Sequence, residues 1–171
     1  MKKVLIIDTS ILCCWLKVPG KSTAGPVNDQ WNYSRIDELL EQEKAANSTL
    51  VLPIATLIET GNHIAQASSQ RYECAQELAG ILLDAANGTS PWASFSEQSH
   101  LWDENKLHQL ANDWPDLANG KLSFGDATIK DVAEYYAKAG CYSVEILTAD
   151  EGLKAYQPVQ SSTLPEPRRR S

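Results

Sequence analysis

Residues 4–10 read Val4-Leu5-Ile6-Ile7-Asp8-Thr9-Ser10. Four consecutive apolar residues bounded by a charge are typical of a short strand that is buried on both faces of a sheet. Asp8 ends the apolar run and is a residue type that begins helices as an N-cap. The start of the chain therefore predicts a buried strand, followed at once by an acid and a helix.

Short apolar strands and amphipathic helices alternate along the rest of the chain. Further strands are predicted at 50–52, 92–95 and 144–147, and helices at 10–16, 34–46, 75–86 and 98–111. Two more helices are predicted to begin at 54, after Pro53, and at 126. This alternation favours an α/β fold, in which helices cover both faces of a central, mainly parallel sheet of four or five short strands.

The chain is expected to form one domain. Its 171 residues fall in the usual size range for a single domain, which we place at 1–156. Residues 157–171 are expected to be a flexible tail, with a short edge strand near Val159 as its one element. Residues 18–33 carry prolines and glycines and predict a long loop, and Ser34 with Asp37 predicts the cap of the following helix.

Composition restricts the class of protein. Hydrophobic residues make up 43% and charged residues 22%, as in an ordinary globular chain, and no apolar run approaches the ~18 residues of a membrane span. The four cysteines have no CxxC spacing, so they indicate neither a zinc site nor a disulfide framework. A reducing, cytoplasmic compartment is therefore expected. The net charge of −7 disfavours an extended basic surface for nucleic acid.

Four acids are placed where the chain would bring them together. Asp8 and Asp150 directly follow predicted strands, Asp126 begins a helix, and Glu59 lies in the first turns of another. In a parallel α/β sheet the ligand cleft lies beyond the carboxyl ends of the strands. Clustered carboxylates repel one another unless a cation neutralises them, and oxygen ligands favour Mg²⁺ or Mn²⁺ over zinc. The sequence therefore predicts a metal site.

Each of these acids also has a structural interpretation. Asp8 and Asp126 could cap helices, Asp150 could be a turn residue, and Glu59 could lie on a solvated helix face. Three further polar residues are interpreted as helix surface rather than as ligands: Asp131, Glu134 and His63.

The acidic stretches resemble the motifs of the PIN-domain nuclease family. The similarity begins with residues 4–10 and spans the chain to residue 153. The other stretches that carry it are Pro53-Ile54-Ala55-Thr56-Leu57-Ile58-Glu59, Leu122-Ser123-Phe124-Gly125-Asp126-Ala127 and Ile146-Leu147-Thr148-Ala149-Asp150-Glu151-Gly152-Leu153. Their order and their placement on strands and helices, taken together, are more specific than any one stretch.

The resemblance implies a three-layer PIN-like fold and a divalent-metal-dependent nuclease that hydrolyses phosphodiester bonds, leaving 5′-phosphate and 3′-hydroxyl ends. It implies one or two Mg²⁺ or Mn²⁺ ions held by Asp8, Asp126 and Asp150, with Glu59 completing the ligand set directly or through water. The expected supporting groups, which orient ligands or bind phosphate, are Thr9, Ser10 and Thr148.

The family also suggests partners and alternatives. Small bacterial members are often toxins of toxin–antitoxin pairs that cleave RNA, so the implied substrate is RNA before DNA. An inhibitory or assembly protein and a homodimer are further expectations. A catalytically silent PIN-like binding or scaffold module and a structure-specific DNA nuclease stay open as alternatives. A phosphohydrolase with Asp8 as nucleophile is disfavoured, because Ser10 stands where such enzymes have a second Asp.

Overall fold

A computed structural model of the protein describes residues 1–160. Strands and helices alternate along the chain, as the sequence predicts. The strands are β1 Lys2–Ile7, β2 Thr23–Ala24, β3 Trp31–Asn32, β4 Thr49–Val51 and β5 Tyr142–Leu147. The α-helices are α1 Thr9–Trp15, α2 Tyr33–Ala45, α3 Ile54–Gln66, α4 Arg71–Asn87, α5 Glu104–Asn119, α6 Phe124–Lys138 and α7 Glu151–Lys154. Shorter 3₁₀ helices lie at Val27–Asp29 and Phe95–Trp102.

A parallel sheet forms the centre of the molecule. Its strand order is β4-β1-β5, and Leu5 of β1 pairs with Leu50 on one side and Glu145 on the other. Because all three strands run the same way, the chain segments after β1 and β5 emerge side by side at one edge. The parallel α/β architecture expected from the sequence is confirmed. Within residues 1–160 this sheet has three strands and not the expected four or five, because Trp92 adds only an isolated bridge.

The strand predicted at 92–95 was wrong. Only Trp92 forms a bridge, with Leu50, through two hydrogen bonds of 2.8 Å from Leu50 N to Pro91 O and from Ala93 N to Leu50 O. The chain then turns into the 3₁₀ helix that begins at Phe95. The aromatic, apolar run at 92–95 had indicated a strand. Trp92 is instead buried in the core that also contains Leu5 and Ile7.

Helices cover both faces of the sheet, since the residues of β1 alternate between two cores. Leu5 and Ile7 pack with α1, α2, α3 and α4 on one face. Val4 and Ile6 pack with α5 and α6 on the other. No helix within residues 1–160 is long and apolar enough to cross a membrane.

Several helix ends differ from the prediction for local reasons. Asn32, not Ser34, caps α2, because Asn32 Oδ1 accepts from Arg35 N at 2.9 Å. Helix α5 extends through Pro115 to Asn119, whereas the predicted helix ended at 111. Buried Leu110 and the partly buried residues one and two turns beyond it continue the apolar face, and this packing holds the helix past the proline.

The segment predicted as a loop at 18–33 is folded into a small hairpin. Strands β2 and β3 pair antiparallel, with Ala24 opposite Trp31. Trp31 is buried, and the Arg35 guanidinium lies 3.6 Å from the centre of its ring. The hairpin lies beside the carboxyl edge of the main sheet, where Gly25 approaches Ala149.

Glutamine side chains occupy the free edge of β5. The Gln157 amide donates to Ile146 O and accepts from Ile146 N, both at 2.8 Å. The Gln160 amide likewise donates to Val144 O at 2.7 Å and accepts from Val144 N at 3.3 Å. These amides take the place of the edge strand predicted near Val159. The remaining residues of the predicted tail, 161–171, lie outside the described residues.

Candidate metal centre

The four predicted acids line one cavity of about 330 Å³ at the carboxyl edge of the sheet. Asp8 follows β1 and Asp150 is the third residue after β5, so the order of the strands sets these two acids side by side. Glu59 reaches the cavity from α3, and Asp126 from the first turn of α6. Residues far apart in the sequence therefore share one cleft, as the placement of the acids predicted.

Asp8 is buried and held by three donors on a single oxygen. Asp8 Oδ2 accepts from Ser10 Oγ and Thr148 Oγ1, each at 2.7 Å, and from Ser10 N at 3.3 Å. The last bond makes Asp8 the N-cap of α1. The helix-cap interpretation is therefore correct for Asp8, and it coexists with a position on the cavity.

Thr148 and Ser10 tie the two strand ends together. Besides donating to Asp8, Thr148 Oγ1 accepts from Asp150 N at 3.0 Å, and Ser10 Oγ accepts from Ala149 N at 3.0 Å. Asp150 in turn caps α7, since its Oδ1 accepts from Gly152 N at 2.7 Å and from Leu153 N at 3.3 Å. Two small hydroxyls thus fix the relative position of two carboxylates.

Glu59 is positioned by the hydroxyl of Thr9 and by the space that glycine leaves at position 125. Thr9 Oγ1 donates to Glu59 Oε2 at 2.8 Å. On the other side, a Cβ atom added at Gly125 would overlap Glu59 Oε1. Gly125 therefore gives the Glu59 carboxylate access to the start of α6, beside Asp126. The interpretation of Glu59 as a solvated surface residue does not fit these contacts.

The carboxyl of Asp126 is perturbed by its surroundings. Ser123 caps α6, with its Oγ accepting from Asp126 N at 3.1 Å, so the Asp126 side chain is not needed as a cap. Burial is the main cause that raises the pKa of Asp126 to about 6, and the charges of Asp8, Asp150 and Glu59 raise it further, while Ser123 acts in the opposite direction. The cavity therefore disfavours the ionised form of Asp126.

The hydrogen bonds leave one oxygen of each held carboxylate without a protein donor. Asp8 Oδ1, Asp150 Oδ2 and Glu59 Oε1 accept no hydrogen bond from residues 1–160, although the second oxygen of each is fixed. A carboxylate oriented through one oxygen and free at the other has the chemistry of a ligand for a hard cation.

The donor set, four carboxylates on one cavity, fits the oxygen chemistry of Mg²⁺ or Mn²⁺. Within residues 1–160 no three His, Cys, Asp or Glu side chains are arranged as a ready group for a metal ion. Helix dipoles support such negative charge, since Asp8, Asp126 and Asp150 all lie at helix N-termini.

Other residues on the cavity wall were not predicted as part of the site. His63 lies one helical turn after Glu59, and that spacing was the only sequence signal for it. Lys21 and Thr23 come from the segment predicted as a loop, which gave no indication of proximity. Cys13 also lines the cavity, and burial raises the pKa of its thiol to about 11, which disfavours the thiolate in the absence of a cation.

Asp131 does not lie on a solvated face, and its surface interpretation was wrong. The residue is partly buried, and burial raises the pKa of its carboxyl, which lies near Lys106 and Lys130. Glu134 is also partly buried and forms an ion pair with Lys130 at 2.6 Å. Neither acid lines the cavity described above.

Comparisons with protein-family models, with curated proteins and with solved structures found no match for this chain.

Proposed function

We propose that this chain is a divalent-metal-dependent nuclease of the PIN-like type, with an endoribonuclease activity at the acidic cavity. The observation that carries the proposal is the convergence of Asp8, Glu59, Asp126 and Asp150 on one cleft. Two of them cap helices, but Glu59 and Asp126 have no such task. Acidic side chains that lie in a negative cluster without capping a helix favour a functional role over a stabilising one.

The roles of the residues follow from their hydrogen bonds. Asp8, Asp150 and Glu59 would each offer the free carboxylate oxygen to the cation. The other oxygen is held by Ser10 and Thr148 in Asp8, by Thr9 in Glu59, and by the backbone N–H groups of Gly152 and Leu153 in Asp150. Asp126 would complete the ligand set. When bound, Mg²⁺ or Mn²⁺ supplies positive charge to a phosphodiester and lowers the pKa of a water molecule beside it.

Nucleic acid is the substrate class that suits this arrangement. An acidic cavity repels a phosphodiester by itself, and a bound divalent cation reverses that repulsion. RNA rather than DNA, the PIN-like fold and an inhibitory protein partner rest on the resemblance of the four motifs. Retention of all four acids favours an enzyme over a silent binding module, since binding alone does not need them.

The test is cleavage of matched single-stranded and structured RNA and DNA by the full chain with Mg²⁺, with Mn²⁺ or with a chelator. We expect RNA to be cut with either metal, leaving 5′-phosphate ends, and no cleavage in chelator. Glu59→Gln should abolish cleavage, and the matched control Glu77→Gln, on the exposed face of α4, should not. Cleavage that survives the chelator or Glu59→Gln would refute the assignment, and binding without cleavage would favour the scaffold alternative.

A further inference from the structure

The distribution of cations over the molecule singles out one lysine. Most lysines and arginines within residues 1–160 have a partner: an acid, a backbone or side-chain acceptor, or an aromatic ring. Those with no hydrogen bond, ion pair or ring contact within that range are Lys2, Lys21, Lys121 and Lys138. Of these, Lys21 alone lines the acidic cavity.

Lys21 is exposed and is not neutralised by the acids it faces. It shares the cavity wall with Asp8 and Glu59, yet no salt bridge joins its ammonium to any carboxylate of residues 1–160. Elsewhere on the surface the usual outcome is pairing, as between Lys154 and Asp29 at 2.9 Å. An ammonium group at the rim of a negative cavity that stays unpaired is available to an anion from outside.

The backbone that carries Lys21 is fixed against the site. We call residues 21–32 the hairpin wall. At its start, Lys21 N donates to Val18 O at 2.8 Å. The Cys14 thiol donates to Ser22 O at 3.2 Å, and Asp29 pairs with Lys154 of α7.

Close packing brings the middle of the hairpin wall against Ala149, in the segment that joins β5 to Asp150. A Cβ atom at Gly25, where φ is +88°, would lie 3.5 Å from the Cβ of Ala149 and 2.7 Å from Asp29 O. Only glycine fits this close approach with such a backbone angle. The backbone around Lys21 is therefore held against the site, while its side chain forms no hydrogen bond or ion pair within residues 1–160.

We propose that Lys21 binds a backbone phosphate next to the one that is cleaved and so positions a single strand of nucleic acid across the cavity. This inference rests on the proposed nuclease function. The chain carries a net charge of −7, so one unpaired cation at the rim contributes much of the local attraction for a polyanion. A cavity of about 330 Å³ is at the small end for ligand sites, which is room for a short stretch of one strand.

The experiment compares Lys21→Gln, Lys21→Arg and the control Lys138→Gln, which removes an unpaired lysine outside the cavity. Steady-state cleavage of a short single-stranded RNA is measured with Mn²⁺ over a series of salt concentrations. For Lys21→Gln we expect KM to rise about tenfold with kcat within about twofold, because one charge-assisted phosphate contact is lost. The dependence of log KM on log salt should weaken by about 0.7, the value for one phosphate contact on a single strand. Lys21→Arg should restore both.

The outcomes separate the inference from the function beneath it. If the wild type cleaves RNA while Lys21→Gln and Lys138→Gln share its KM and salt dependence, the role of Lys21 is refuted and the nuclease proposal stands. A fall in kcat alone would also refute it, since a flanking contact acts on binding. If the wild type neither binds nor cleaves any nucleic acid, both proposals fail.

Discussion

Replacing Asp126 with Asn should make the metal-free protein more stable at neutral pH. The pKa of Asp126 is raised from 3.8 to about 6, mainly by burial and next by the charge of Asp8. At ~1.4 kcal/mol for each pKa unit, ionising this group costs the native state up to about 3 kcal/mol at pH 7. The side chain is partly exposed, and solvent screening reduces the expected gain in Asp126→Asn to about 1–2 kcal/mol.

The sign of this effect sets its pH dependence. The folded state binds the Asp126 proton more tightly than the unfolded state, so this residue reduces stability progressively as pH rises from about 4 to about 6. Below that window wild type and Asp126→Asn should be equally stable. No cap is lost in the variant, because Ser123 caps α6.

Urea unfolding followed by circular dichroism in chelator, between pH 4 and pH 7.5, measures the difference directly. The control is Asp84→Asn on the exposed face of α4, which should change stability by less than about 0.5 kcal/mol. An Asp126→Asn protein that is no more stable than the wild type at pH 7, or that keeps its advantage at pH 4, would refute the reasoning.

Three further predictions follow from the same contacts. Gly125→Ala should displace the Glu59 carboxylate, the flexible end of a side chain, and so weaken Mn²⁺ binding in calorimetry while circular dichroism stays native. A native metal affinity in this variant would show that the close approach of Glu59 is incidental. The Mn²⁺ affinity of the wild type should fall as pH drops through about 6, because the ion competes with the proton on Asp126; an affinity unchanged down to pH 5 would exclude Asp126 as a ligand. Gln157→Ala should lower stability by about 1 kcal/mol and speed amide exchange at Ile146, which loses its acceptor; unchanged exchange would show that this bond does not protect the edge.

The gathering of the acids could be predicted from the sequence because it depends on local rules. A run of four apolar residues such as Val4 to Ile7, ended by a charge, is typical of a buried strand, and the carboxyl ends of parallel strands lie at a common edge. An acid placed just after such a strand, as Asp8 is, must then point toward that edge. The same holds for acids at helix starts, and the cavity contains all four.

The sequence was less informative where partners are distant in the chain. Tryptophan is common in strands, yet Trp92 forms only an isolated bridge with Leu50. Asp131 sits at a polar position of a helical pattern, but neighbouring helices partly bury it. Propensity and periodicity describe one element at a time, and burial depends on what packs against it.

Only the tertiary structure decided which groups join the acids. Lys21 and Thr23 belong to a segment rich in glycine and proline, whose pattern carries no periodic signal, and their place on the cavity wall follows from the packing of Gly25 on Ala149. Likewise the raised pKa of Asp126 arises from burial and from the charges of Asp8, Asp150 and Glu59. These acids come from three different parts of the chain. The sequence determined which residues could bind a cation, because that is a property of the side chain. Folding determined their distances, exposure and charge, because those are properties of the space between elements.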